Sequence, residues 1–327
     1  MMVSSFPETH SSSPLSSTSS VPQFLGADYA GYLGVDVKHN PDGTLLLSQT
    51  GLIDSIISDL GLSDSPCFKT TPATEILSHY KSSPPFDASF NYRSVLGKIM
   101  YLSSNTRCDL SFANHQCARF SIDPRTPHAT ALKRIGRYLL GTRTQGTIVR
   151  PTDCLSLHCY ADADFAGMFS SMDPEDPTSI KSRTGFVILL GTTPISWSSK
   201  LQTEIVLSTM ESEYIALSQS LRVLLPLRQV LQEVTKALHL TTTPQAPIYS
   251  TIFEDNQACF KLATSDPPRM TPRSKSIAIK YHWFREHLIP GEVELKPISS
   301  ELQLADIFTK PLSTMLFVRL RKQLLGW

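Results

Sequence analysis

The chain has 327 residues, a length that suggests two domains at ~150 residues per domain. Hydrophobic residues make up 41% of it and charged residues 18%, which excludes wholesale disorder. Lys and Arg total 30 against 29 Asp and Glu, so the net charge of +1 excludes a histone-like polyanion binder but allows a nucleic-acid enzyme with local basic and acidic faces.

The six cysteines form no CxxC pair, and none has a histidine at zinc-finger spacing. We therefore expect thiols in a reducing compartment rather than a zinc site or a disulfide framework. No apolar run approaches the ~20 residues that a membrane span needs, and the N-terminus lacks the layout of a signal peptide. These features predict an intracellular protein.

The first half of the chain begins with a Ser- and Pro-rich stretch, residues 1–23, which we predict to be a disordered tail. Hydrophobic spacing and turn signals then predict a hairpin and several helices. In chain order these are strands at 32–37 and 44–48, and helices at 49–60, 92–103, 110–119 and 127–140. Residues 63–88 are rich in Ser, Pro and Thr and predict an extended connector.

From residue 155 onward the pattern changes to strands alternating with helices. The predicted strands are 155–162, 183–190, 193–197, 248–254 and 293–298, and the predicted helices begin near 208 and 303 or span 256–263 and 277–288. Pro226 should kink or end the helix that begins at Ser208. The order βββαβααβα predicts an α/β fold with one mixed sheet and helices on its faces.

Four acids occupy positions where a strand ends or a helix begins: Asp162, Glu213, Asp255 and Asp306. Taken singly, each could be an ordinary surface carboxylate. Gathered together, they would repel one another unless cations held them. Oxygen ligands suit Mg²⁺ or Mn²⁺, and two such ions ~4 Å apart can activate water for in-line phosphodiester hydrolysis.

Motifs in this half resemble the ribonuclease H domain of copia-type retrotransposon polyproteins. They are YADADFAG (160–167), SRTGF (182–186), PISWSSK (194–200), LSTMESEY (207–214), EDNQ (254–257), KYHWFRE (280–286) and ADIFTKP (305–311). The upstream half is similar to the segment that follows the catalytic palm of that family's reverse transcriptase. Its motifs are YLG (32–34), LSQ (47–49), YRSVLGKIMY (92–101), TRCDL (106–110) and RIGRYLLGT (134–142).

The resemblance implies a ribonuclease H-like fold with a five-stranded mixed sheet of order 3-2-1-4-5, and metal-dependent cleavage of RNA in RNA–DNA hybrids. Asp162, Glu213 and Asp255 match the core carboxylate triad, and Asp306 matches the fourth ligand. Asp162 fits better than Asp164 because its strand neighbours alternate correctly. Glu213 is preferred because Glu211 is explained by helix capping. The implied cofactors are two Mg²⁺ (or Mn²⁺) ions.

The expected organisation is a tail at 1–23, a helical thumb- or connection-like remnant at 24–150, a ribonuclease H-like domain at 151–315 and a C-terminal helix or tail at 316–327. Expected partners are an RNA–DNA hybrid and the rest of the polyprotein, in the cytoplasm (in a virus-like particle) or the nucleus. Basic residues that could contact phosphates, or simply be solvated, are Lys133, Arg134, Arg137, Arg273, Lys275, Lys280 and Arg285.

Two departures from the family pattern affect the expected activity. The Tyr-x-Asp-Asp polymerase motif should precede Tyr32 and is missing there, so we expect a polyprotein fragment that does not polymerise DNA alone. The family's Lys-His-Ile-Asp-Ile is Lys-Ser-Ile-Ala-Ile at 275–279 here, with Ser276 and Ala278 replacing a histidine and an aspartate. A catalytically silent nucleic-acid-binding or structural remnant is therefore the alternative to an active nuclease.

Overall fold

The computed structural model describes residues 29–152, 155–169, 178–240, 248–265 and 281–327. The strands within these ranges are β1 Tyr29–Tyr32, β2 Val35–His39, β3 Leu45–Ser48, β4 Thr147–Val149, β5 Leu157–Asp164, β6 Arg183–Leu190, β7 Thr193–Leu201, β8 Ser250–Glu254 and β9 Val293–Pro297. The α-helices are α1 Thr50–Asp59, α2 Tyr92–Asn105, α3 Ser111–Ala118, α4 Thr126–Gly141, α5 Thr209–Ala237, α6 Gln257–Thr264, α7 Asp306–Thr309 and α8 Thr314–Leu325.

The upstream half combines a small antiparallel sheet with helices. Strands β1 to β4 pair in chain order, and the predicted hairpin is confirmed as β2 and β3, with Lys38 opposite Leu46. Strand β4 was not predicted because it has only three residues, and it pairs with β3 after α4 has ended. Helices α1 to α4 therefore lie, along the chain, between two strands that pair with each other.

Helices α1, α2 and α4 follow the predicted apolar spacing and bury one face each. Their inward side chains include Ile53, Ile56, Val95, Ile99, Leu102, Leu132, Ile135 and Leu139, all of them fully buried. Helix α2 begins where the Asn91 side chain accepts a hydrogen bond from the Ser94 amide at 3.0 Å. Capping and apolar periodicity therefore account for this helical layer.

The second half folds around a five-stranded sheet of order β7-β6-β5-β8-β9. Strands β5 to β7 are antiparallel neighbours, whereas β8 runs parallel to β5, and β9 runs parallel to β8. Numbered within this half, the order is 3-2-1-4-5, which confirms the ribonuclease H-like fold. Helix α5 packs on one face of β5 and β6.

The two faces of this sheet belong to different hydrophobic clusters, because side chains alternate along a strand. On β6, Ile188 contributes to the cluster beneath α5, and its neighbours Val187 and Leu189 contribute to the cluster that holds the upstream helices. Phe317 and Leu320 of α8 lie in that second cluster too. The upstream helices and α8 therefore cover the face of the sheet opposite α5.

Pro226 does not end α5, and one predicted helix differs from the structure. Helix α5 continues through Pro226 for another eleven residues, because Leu227 and Leu231 beyond it pack against the core and Arg228 donates to the Ile248 carbonyl at 3.1 Å. The helix predicted at 277–288 is wrong where it is described: residues Trp283–His287 form a short 3₁₀ helix instead. No helix within the described residues is both long and apolar enough to cross a membrane.

A buried ion pair connects the upstream motifs. The Arg107 guanidinium donates from Nε and Nη2 to the two carboxylate oxygens of Asp109, at 3.0 and 2.9 Å, and both side chains are fully buried. The Tyr138 hydroxyl donates to Asp109, and the Arg107 guanidinium also lies 5.0 Å from the ring centroid of Trp327 at the C-terminus. The TRCDL and RIGRYLLGT motifs thus form one polar cluster inside an apolar core.

Replacing Asp109 by Ala should lower the free energy of unfolding by about 3–5 kcal/mol, because it leaves the Arg107 charge buried without its partner. Urea unfolding followed by circular dichroism would measure this loss. Asp54→Ala is the control, since its ion pair with Arg143 is solvent-exposed and should contribute less than about 1 kcal/mol. Equal losses for the two variants would contradict the prediction.

Candidate active site

The structure brings three of the four predicted acids to one end of the large sheet. Asp162 lies near the end of β5, Glu213 in the second turn of α5, and Asp255 directly after β8. Each offers a carboxylate oxygen, and these oxygens lie within 4.8 Å of one another. Because β5 and β8 are parallel neighbours, their carboxyl ends meet at the same edge.

Asp306 lies beside these three acids but is not among those whose oxygens converge within 4.8 Å, and its position depends on a close contact between a helix and a strand. It begins α7, and Asp162 lies opposite Gly185 in the β5–β6 pairing. A Cβ atom on Gly185 would lie 2.8 Å from the Phe308 Cβ and 2.6 Å from a Thr309 methyl. Only a glycine at this position therefore lets α7 pack directly on β6, and the SRTGF motif supplies it.

Hydrogen bonds satisfy some oxygens of the site and leave others open. Thr309 donates its hydroxyl to Asp162, Ser300 donates to Asp255 at 2.7 Å, and the Ala163 amide donates to Glu213. The second oxygens of Glu213 (Oε2) and Asp255 (Oδ1) are buried without a hydrogen-bond partner. Unpartnered buried carboxylate oxygens are costly, and a divalent cation would satisfy both of these.

Burial and mutual repulsion shift the titration of this site. Burial raises the pKa of Asp162 and, more strongly, that of Glu213, and neighbouring carboxylates raise both further. Burial and the charge of Asp162 raise the pKa of Asp306 to about 7. The site therefore disfavours its own negative charge, as expected for carboxylates that a cation normally accompanies.

Glu254 is a further buried carboxylate that the sequence analysis did not single out. It is the last residue of β8, its side chain is fully buried, and burial raises its pKa to about 8. Its Oε1 accepts a hydrogen bond from the Asn256 amide at 3.0 Å, and the buried Cys259 thiol lies next to the carboxylate. One feature of the sequence indicates that Glu254 is buried: side chains alternate along a strand, so Glu254 shares a face with the buried Ile252.

Lys310 is the second site residue that the sequence analysis missed. Its ammonium lies 2.8 Å from Asp306 Oδ1 and 3.8 Å from Asp162 Oδ2. Burial lowers the lysine's pKa, but the charges of Asp162 and Asp306 offset this, so the net pKa is raised. The possible metal ligands at Glu213 and Asp255 are all carboxylate oxygens. Such ligands fit a hard divalent cation such as Mg²⁺ or Mn²⁺.

Glu211, the rejected alternative to Glu213, has a structural role. Its amide donates to the Ser208 hydroxyl at 3.2 Å, and its own Oε2 accepts from the Leu207 amide at 2.9 Å. This reciprocal arrangement caps the start of α5. Asp164, the rejected alternative to Asp162, lies two residues further along β5 and is half-buried.

The predicted basic residues have varied surroundings. Lys133 lies with its ammonium 5.6 Å from the ring centroid of Phe90. Arg134 donates to the backbone and hydroxyl oxygens of Thr71, and Arg285 donates to Ser265. Positions outside the described residues are Arg273, Lys275, Lys280 and the family departures Ser276 and Ala278.

A cavity of about 630 Å³ lies between the connector and helices α3 and α4. Lys69, Arg134 and Arg137 line it together with one acid, Glu75, so the charge of its wall is net positive. A smaller cavity next to it is lined by Lys310 and shares Pro72 and Ala73 with the first.

Comparison with known proteins gives relatives over most of the chain, although no protein-family model matches it. The retrovirus-related Pol polyprotein from transposon RE1 of Arabidopsis thaliana is 33% identical over 286 residues, which make up 88% of this chain and 18% of that protein. The Pol polyprotein from transposon TNT 1-94 of Nicotiana tabacum is 30% identical over 89% of this chain and 21% of its own length. The chain belongs to the copia-type Pol family.

The chain spans about a fifth of the length of these copia-type Pol relatives. An uncharacterized mitochondrial protein of Arabidopsis thaliana, AtMg00810, is 34% identical over 62% of this chain and 80% of its own length. Among solved structures, LC11-RNase H1 aligns with 47% of this chain and 93% of its own, at 14% identity and a TM-score of 0.32. Family membership and strand order together define a ribonuclease H-like retrotransposon domain.

Glu254→Gln should stabilise the protein in the absence of divalent ions, and more so as the pH rises. The folded pKa of Glu254, about 8, lies above its ordinary value of 4.5, so this group's contribution to stability is complete below pH 4.5 and is lost as the pH rises toward 8. The variant should gain about 1.4 kcal/mol per pH unit over the wild type within that window.

Urea unfolding in EDTA at pH 5.5, 6.5 and 7.5 measures this difference between the two proteins. The exposed Glu233→Gln on α5 serves as the control, and its difference from the wild type should stay constant over the same pH range. A pH-independent difference for Glu254→Gln would mean that this carboxyl group is not held in the neutral form.

Proposed function

We propose that the chain hydrolyses the RNA strand of RNA–DNA hybrids with two divalent metal ions, Mg²⁺ or Mn²⁺, held by Asp162, Glu213, Asp255 and Asp306. The observation that carries this proposal is the convergence of three carboxylates within 4.8 Å, two of which keep a buried oxygen without a partner. Ions bound there would lower the pKa of a water molecule and would provide positive charge next to the leaving oxygen.

The protein's own groups have distinct roles in this proposal. Asp162 is oriented by the Thr309 hydroxyl, and Asp255 is oriented by Ser300, so each carboxylate presents a fixed oxygen to the site. The Ala163 amide holds one oxygen of Glu213 and directs the other toward its neighbours. Cleavage would leave a 5′-phosphate, and the 2′-hydroxyl would mark the RNA strand.

Cleavage of a labelled RNA–DNA hybrid in Mg²⁺ tests the proposal. The wild type should cut the RNA strand, and Asp162→Asn should lower the rate by at least about a hundredfold, because it removes a charged ligand from the centre of the site. Glu211→Gln is the matched control, since it lies two residues from Glu213 but serves the helix cap, and it should retain activity.

A wild type that binds the hybrid without cutting it would overturn the nuclease proposal and support the silent remnant instead. The departure at Ser276 and Ala278 is the sequence observation that favours this second function. RNA–RNA and DNA–DNA duplexes of the same sequence should resist cleavage. Equal cleavage of all three duplexes would contradict hybrid specificity.

In this proposal, basic residues that line the 630 Å³ cavity also bind the hybrid. Arg137 and the exposed Lys69 line it, whereas the guanidinium of Arg134 is already bonded to Thr71. Phosphate contacts are electrostatic and sequence-independent, so these side chains would hold the hybrid by its backbone.

Replacing Lys69 and Arg137 together by Gln should weaken hybrid binding about tenfold at low salt and reduce the salt dependence of binding, because two phosphate contacts are lost. Fluorescence anisotropy of a labelled hybrid at several salt concentrations measures both effects. Arg143→Gln, which removes an exposed arginine paired with Asp54, is the control and should bind as the wild type does. An unchanged salt slope in the double variant would exclude these contacts.

A further inference from the structure

Lys310 occupies an unusual position for a lysine, at the mouth of a buried acidic site. Its side chain is 40% exposed, whereas those of Asp162 and Asp306 are 4% and 8% exposed. The chain reaches this point directly after α7, whose last residue Thr309 donates to Asp162. One tetrapeptide and the residue after it therefore supply a carboxylate, a hydroxyl and an ammonium to one site.

The ammonium of Lys310 serves more than one carboxylate. It contacts Asp306 at 2.8 Å and Asp162 at 3.8 Å, and its charge also lowers the pKa of Asp164 against the effect of burial. Among the ion pairs of the described residues, those of Asp162 and Asp306 involve Lys310 alone. Without divalent ions, this ammonium is the positive charge in direct contact with these two acids.

A divalent ion and Lys310 would compete for the same oxygens. Both are attracted to Asp162 and Asp306, and an ion held by these acids would be repelled by the ammonium that contacts them. A lysine stem is flexible and its ammonium is a compact point charge, so it can leave one anionic partner for another. A substrate phosphate that approached the carboxylates would offer such a partner at the exposed mouth of the site.

We propose that Lys310 is the resident counter-cation of the carboxylate site: it competes with divalent ions for Asp162 and Asp306 and turns to a substrate phosphate when the hybrid binds. This inference rests on the proposed function. It makes Lys310 a positioning residue that couples metal binding to hybrid binding. A bound phosphate would draw the ammonium away from Asp162 and Asp306 and so favour metal binding, and a bound metal ion would free the ammonium for the phosphate.

Mn²⁺ binding to the protein without nucleic acid tests the competition. Lys310→Met should tighten Mn²⁺ binding about three- to tenfold, because the competing charge is gone. In EDTA the same variant should bind the hybrid more weakly than the wild type, because the carboxylates then repel phosphate without a counter-cation. Electron paramagnetic resonance of free Mn²⁺ gives the first quantity, and fluorescence anisotropy gives the second.

Lys98→Met is the matched control. Lys98 has a similar exposure of 30% and an ion pair with Asp59 at 2.7 Å, and its removal should change neither quantity. Lys310→Arg keeps the charge and should retain hybrid binding in EDTA, and Lys310→Gln replaces the Met variant if that protein does not fold.

Unchanged or weaker Mn²⁺ binding in the charge-free Lys310 variants would overturn the proposal, and so would unchanged hybrid binding in EDTA. These readouts are independent of cleavage. Tighter Mn²⁺ binding with no cleavage by the wild type would contradict the proposed nuclease function and leave the competition standing. Cleavage by the wild type, with no effect of Lys310 on either affinity, would support the nuclease function and contradict the proposed role of Lys310.

Discussion

Mutual repulsion among buried carboxylates is the constraint on which this structure depends. Asp162, Glu213 and Asp255 bring oxygens within 4.8 Å, and the fully buried Glu254 adds a further acid close by. Such a cluster opposes folding unless protons or cations neutralise it. Burial raises the pKa values of these acids and the charges of their neighbours raise them further, and the ammonium of Lys310 offsets part of the negative charge.

The fold meets this cost by fixing the acids from independent elements. Two come from the carboxyl ends of adjacent parallel strands, one from the start of α5 and one from α7. Gly185 is essential to this arrangement because any Cβ there would push α7, and with it Asp306, away from β6. A glycine in a strand usually weakens it, and here it permits the direct contact between α7 and β6.

The sequence predicted the sheet and most helices because these elements have regular apolar spacing, and family motifs supplied the strand order and the acids Asp162, Glu213 and Asp255 that converge. It did not predict Glu254 or Lys310 as parts of the site. Glu254 directly precedes the predicted acid Asp255, and Lys310 follows the predicted acid Asp306 by four residues. Only tertiary packing shows that Glu254 is buried and that the Lys310 ammonium contacts Asp306. Pro226 predicted a kink or an end of its helix, and packing of the residues beyond it keeps the chain helical to Ala237.

The upstream half contributes to the site without supplying one of its acids. Ile307 and Phe308 of α7 lie in the same hydrophobic cluster as α1, α2 and α4, so α7 is packed between β6 and the upstream helices. Arg183, at the start of β6, is nearly fully buried and bonds to His115 of α3 at 2.8 Å. The position of Asp306 therefore depends on residues about two hundred positions earlier in the chain. A nuclease segment cut at residue 150 would expose this apolar face, and α7 would lose the layer that presses Asp306 against the sheet.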